Sequence, residues 1–272
     1  MRHGLSVLMG LVMVGTAAPA LAATVVNFNF TGGTDGIVQE TPTGGNIGNY
    51  LAPNGTGFRL GVPSNGANNF VTLFGGMTLP GDFAGATVTS ATLSIKDIWG
   101  EAHDWANAKM YEMSPTAPAW ATATGAGWNC CWGNNNGATF WFANHNTAGG
   151  GLDWSGATVG TNGAHNGDIT QAFSTLLDTK EMIGPNLITF NVLAAAQDWA
   201  NGSTNRGLAL DLLDATLVGA SGNGAYNYSV NGAVYTGAGL SITYTPAVPE
   251  PAIAGVLAVG ILTMLRIRRR TA

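Results

Sequence analysis

Residues 87–95 read Thr87-Val88-Thr89-Ser90-Ala91-Thr92-Leu93-Ser94-Ile95, and apolar side chains recur along them at mostly alternate positions. A period of two sends successive side chains to opposite faces of an extended chain, so the segment predicts a half-buried β-strand rather than a helix. The same period runs through Val26-Phe28-Phe30, Val71-Leu73, Leu187 to Leu193, Leu208 to Leu213 and Leu240-Ile242-Tyr244. Gly-Asn, Asn-Gly, Pro-Gly and Gly-Gly pairs separate these runs, which is the chemistry of chain reversal. One short helix is expected after Asp168: that side chain can cap it, and Ile169, Phe173, Leu176 and Leu177 share a helical face. Short strands, frequent turns and almost no helix predict an all-β chain folded as an antiparallel, jelly-roll-like β-sandwich.

Outward from these strands, composition narrows the function. Of the 272 residues only 9% are charged, against roughly a quarter in an ordinary soluble domain. Forty glycines and 46% hydrophobic residues would suit a membrane protein, but the long apolar runs lie only at the two ends. Five of the ten basic residues, Arg2, Arg266, Arg268, Arg269 and Arg270, lie in those ends as well. Residues 24–245 keep Arg59, Lys96, Lys109, Lys180 and Arg206 against fourteen acidic side chains, a net charge of −9. Such a surface repels phosphate backbones and gains nothing from counterion release, so nucleic acid is not an expected partner.

Met1-Arg2-His3, the apolar stretch from Leu5 to Val14 and Ala20-Leu21-Ala22 supply the charged, apolar and small-residue parts of a secretory signal peptide. Residues 1–23 are therefore expected to be a cleaved leader. At the other end, Val248-Pro249-Glu250-Pro251 precedes fourteen apolar or small residues, Ala252 to Leu265, and then Arg266-Ile267-Arg268-Arg269-Arg270. Fourteen helical residues rise about 21 Å, short of the roughly 30 Å hydrocarbon core, so a transmembrane helix here spans with snorkelling arginines or local thinning. The arginines stay in the cytoplasm and the preceding chain lies outside. In this order the motif Pro249, Glu250, Pro251, the apolar helix and the basic tail, residues 246–272, resemble the PEP-CTERM sorting signal of Gram-negative exported proteins. The resemblance implies transit of the inner membrane, recognition by an exosortase (a membrane cysteine protease), and a final place on the cell surface or in the extracellular matrix. A plain single-span tail anchor is the alternative.

The 222 residues at 24–245 suffice for one sandwich-sized domain. Within them Asp35-Gly36-Ile37-Val38, Asn46-Ile47-Gly48, Phe58-Arg59-Leu60-Gly61, Leu73-Phe74, Leu79-Pro80 and Gly85 to Leu93 resemble the first half of a DNRLRE-type domain. Gly125 to Trp128, Gly149 to Asp153, Asp168 to Phe173 and Trp199 to Leu210 resemble its second half. That resemblance implies an extracellular β-sandwich similar to carbohydrate-binding modules. The chain departs from the family pattern at Leu73-Phe74-Gly75-Gly76, where a charged ending is usual, and in carrying an adjacent Cys-Cys.

Five of the eight tryptophans, Trp120, Trp128, Trp132, Trp141 and Trp154, fall among Asn129, Asn134, Asn135, Asn136, Asn144, Asn146 and Asp153. A pyranose offers a C–H face for stacking and hydroxyls that need paired donors and acceptors, so aromatic rings beside amides suit it. Trp128, Trp132, Trp141, Trp154, Asn134 and Asp153 are the candidate ligand-binding set. The competing reading puts the rings in the core and the asparagines in tight turns.

Cys130 and Cys131 are the only cysteines. A vicinal disulfide between them, two unpaired thiols and intermolecular cross-links all remain open. Adjacent cysteines lack the spacing that brings two sulfurs onto one zinc ion. Asp35, Asp153 and Asp168 sit in turns and are candidate ligands of a structural calcium ion; no other cofactor is expected. His103 lies between Glu101 and Asp104, the ingredients of a metal or acid–base site. Asp104-Trp105-Ala106-Asn107 recurs as Asp198-Trp199-Ala200-Asn201, which reads either as a duplicated half-sandwich or as coincidence in an Ala- and Asn-rich chain. Together these features lead to an exported, surface-sorted, non-enzymatic protein that binds or organises extracellular polysaccharide or biofilm matrix. A polysaccharide-cleaving hydrolase or lyase built on His103 is the second reading, and a purely structural sheath protein the third.

Overall fold

Alternation becomes pairing in the computed structural model, which describes residues 22–30, 37–40, 58–60, 71–97, 104–120, 142–146, 150–159, 167–182, 186–218, 226–229, 233–234 and 236–247. The strands are β1 (Thr24–Phe28), β2 (Ile37–Glu40), β3 (Phe58–Leu60), β4 (Val71–Phe74), β5 (Thr87–Asp97), β6 (Asp104–Met113), β7 (Phe142–Asn146), β8 (Gly150–Asp153), β9 (Thr158–Val159), β10 (Phe173–Met182), β11 (Leu187–Asn191), β12 (Leu208–Asp211), β13 (Thr216–Val218), β14 (Tyr226–Ser229) and β15 (Gly239–Thr245). One α-helix, α1 (Leu193–Ala200), follows β11.

All described pairings are antiparallel. The first sheet runs β1-β15-β5-β14-β3, with β11 also on β5. The second runs β10-β6-β12-β4-β2, with β13 also on β6, and β7-β8-β9 form a small third sheet. Leu93 and Ile95 of β5, Phe190 of β11 and Leu240 and Ile242 of β15 share one buried cluster with Met110 of β6, Leu208 and Leu210 of β12 and Phe74 of β4. Two sheets that bury their facing side chains in a common core make a β-sandwich, as the alternation predicted.

The second sheet is covered on both faces, and β4 and β12 are buried at every position. Leu208 and Leu210 point into the sandwich, while Ala209 joins Val71, Leu73 and Met113 in an outer cluster completed by Trp154, Ile169 and Ala172. A short 3-10 turn, Ile169–Ala172, thus lies over the outer face.

The helix forms elsewhere than expected. Asp168 does cap a helical turn, accepting from the Thr170 N–H, but Phe173 is already extended (φ −77°, ψ 138°) and the chain becomes β10. Phe173 then stacks on Tyr111 with ring centroids 4.8 Å apart, Leu177 packs against the inner core, and Leu176 stays 50% exposed. The true helix holds three consecutive alanines, the strongest helix formers. Its Gln197 is tied to the sheet: Nε2 donates to the Ala86 carbonyl at 3.1 Å and Oε1 accepts from the Val88 N–H at 2.9 Å. No helix among the described residues is long and apolar enough to cross a membrane, and residues 252–265 lie outside them.

Candidate functional site

Three turns meet above the outer cluster, each fixed by its own side chains. After β6 the Ser114 and Thr116 hydroxyls bond each other at 2.8 Å, and the Ala117 N–H donates to the Ser114 carbonyl at 2.9 Å. After β8 the Asp153 Oδ1 accepts from the Ser155 N–H (3.0 Å), the Ser155 hydroxyl (2.6 Å) and the Ala157 N–H (2.9 Å). Ahead of β10, Asp168 Oδ1 accepts from the Thr170 N–H and hydroxyl. The Ser114 N–H donates to the Ala172 carbonyl at 2.7 Å, joining the first turn to the third. Bonds of this kind contribute about 1 kcal/mol each and set the walls before any ligand arrives.

Between the turns runs an open groove of about 540 Å³, within the size range of small-ligand clefts. Among the described residues its apolar lining is Ala117, Pro118, Leu152 and Trp154, and its polar lining is Ser114, Thr116, Ser155 and Gln171, which carry three hydroxyls and an amide. Gly167 makes room for that amide, because a Cβ there would meet Gln171 Oε1 at 2.2 Å. Each hydroxyl and the amide both donate and accept.

Of the sequence-predicted ligand set, Trp154 is 2% exposed and Asp153 fully buried. Asp153 organises the groove's turn, and Trp154 belongs to the outer cluster beneath it, so the Trp154 ring does not present the exposed stacking face expected of it. Trp128, Trp132, Trp141, Asn134, Cys130, Cys131, Asp35, Glu101, His103, Pro249, Glu250 and Pro251 lie outside the described residues. Trp120 is half-buried: its indole N–H donates to the Arg206 carbonyl at 2.7 Å, and its ring lies where a Gly75 Cβ would be, 2.4 Å from it. Among the described residues, no group of three or more His, Cys, Asp or Glu side chains is arranged to hold a metal ion.

Ser114, Thr116, Ser155 and Gln171 were not singled out by the sequence; the available signal was Ser114-Pro115-Thr116-Ala117-Pro118, a turn-forming run at a strand end. A second unforeseen feature lies inside the sandwich. Glu112 pairs with Leu208 on the core side of β6 and is only 3% exposed. Burial, with help from the negative charge of Asp198, pushes its carboxyl up to about 7. The Trp199 indole N–H, which closes no well-formed hydrogen bond, pulls it back by less. At neutral pH this carboxyl is thus partly protonated, though it does not line the groove. Among known proteins, no family model and no curated sequence matches the chain.

Proposed function

We propose that this chain is an exported, surface-sorted, non-enzymatic β-sandwich protein that binds or organises extracellular polysaccharide. The observation that carries the reading is the groove: an apolar floor beside three hydroxyls and an amide on pre-set turns. A sugar chain presents this pair of surfaces in reverse, C–H faces and hydroxyls that need both donors and acceptors. The leader-like residues 1–23 and the Pro249-Glu250-Pro251 segment with its basic tail support export and sorting by an exosortase. The likeness of residues 24–245 to DNRLRE-type domains adds support from fold and setting.

Retention in polysaccharide-containing gels tests the proposal. The protein should be retarded by at least one surface polysaccharide, and Gln171→Ala should weaken retention about threefold to tenfold, the worth of one or two hydrogen bonds, with little change in melting temperature. No retardation by any polysaccharide would sink it.

A further inference from the structure

We infer that the groove between the Ser114 and Asp153 turns takes an uncharged stretch of polysaccharide, a run of neutral sugars rather than a uronan or a sulfated glycan. This deepens the polysaccharide-binding reading and rests on it. Among the described residues, no side chain lining the groove is charged. Two negative side chains belong to its wall turns: Asp153, fully buried, and Asp168, which caps the turn that carries Gln171. Of the described cations, Lys109 pairs with Asp214 at 3.0 Å and Lys180 with Asp178 at 3.3 Å, and Arg206 is not among the described residues that line the groove. A carboxylate or sulfate entering the groove would shed water and meet no counter-charge among the described lining residues, an arrangement that costs far more than burying a hydroxyl. The net charge of −9 over residues 24–245 opposes polyanions at longer range.

The hydroxyl arrangement suits a neutral partner. Because Ser114 and Thr116 share one hydrogen bond and the Thr116 N–H donates to the Ser114 oxygen, the pair keeps one O–H proton to donate and lone pairs on Thr116 to accept. Gln171 offers both an N–H and a carbonyl. Sugar hydroxyls need such two-way partners, whereas anions need donors alone.

The test uses the exported full-length protein against dextran, glucomannan, galactan and chitin oligosaccharides as neutral probes, and alginate, polygalacturonate and heparin as anionic ones. At least one neutral probe should be retained, with affinity constant to about twofold between low salt and roughly 0.5 M NaCl. Gln171→Lys should weaken that retention and create salt-sensitive binding to alginate or heparin. Preferential retention of an anionic probe by the unaltered protein, lost in salt, overturns the inference and leaves the polysaccharide reading standing. Neutral retention untouched by both Gln171→Lys and Thr116→Ala places the ligand elsewhere and overturns it too. Retention of none of the seven probes overturns inference and reading together.

Discussion

The tetrapeptide Asp-Trp-Ala-Asn occurs twice and folds two ways. At 104–107 it opens β6, and at 198–201 it ends α1. Both tryptophans reach the inter-sheet core, Trp105 at 1% and Trp199 at 4% exposure, and neither indole N–H has a well-formed hydrogen bond. The backbones differ most at the asparagines: Asn107 has φ 64°, whereas Asn201 has φ −76°. Flanking sequence decides the outcome. Lys109 to Met113 supply paired strand positions after the first copy, while an alanine run precedes the second. The repeat therefore does not mark equivalent positions in two half-sandwiches; what the copies share is a ring that must be buried.

Truncating those rings has the largest expected effect. Trp105→Ala and Trp199→Ala should each cost about 3–5 kcal/mol, read as a lower urea midpoint at unchanged slope. A loss below about 1 kcal/mol at either position would break the likeness between the copies.

Electrostatics adds a second probe, since Asp198 of the second copy raises Glu112. Glu112 holds its proton more tightly folded (about 7) than unfolded (4.5), so the native state binds more protons over that interval. Stability should therefore fall as pH rises from about 4.5 to about 7 and level off above, by up to about 3 kcal/mol. Asp211, also raised by burial, adds a change of the same sign. Urea titrations across this range should show Glu112→Gln flattening most of the slope and Asp198→Asn a smaller part. Stability that rises with pH in the unaltered protein, or a slope unchanged in Glu112→Gln, would remove Glu112 from the account.

How much of this was legible follows from where the period of two survives. β11, β12 and β15 keep it, as does β5 from Ala91 to Ile95 beyond a register shift opposite Tyr244, and their runs could be read directly. β6 could not, because Asn107 inserts a residue between Trp105 and Ala108, which pair with Met182 and Lys180, and puts both on the core face. β10 carries two further register shifts, so its apolar residues imitated a helical face. The groove was harder still. Its polar groups come from three turns that only the β6–β10 pairing and the return of the chain after β8 bring together, and no sequence spacing encodes that meeting. Trp154 was found for the wrong reason: a ring in a Gly/Asn-rich segment signals sugar stacking and turn-anchoring burial alike, and here it is buried.

The smallest effect is the most direct test of the two backbones. Asn107 sits in the left-handed region, which asparagine tolerates and alanine resists, so Asn107→Ala should cost about 1 kcal/mol while Asn107→Gly should be neutral or slightly stabilising. Asn201 has an ordinary φ, and its Oδ1 accepts one exposed bond from Gln197 Nε2 at 3.0 Å. Gln197 keeps its bonds to Ala86 and Val88 without it, so Asn201→Ala should change stability by no more than about 0.5 kcal/mol. Glycine is the sharper probe, because it relieves a left-handed residue and only adds chain entropy at a right-handed one. If Asn201→Gly proves the better tolerated of the two glycine variants, backbone handedness is not what distinguishes the two copies, and the bulge at Asn107 loses its role in turning Trp105 toward the core.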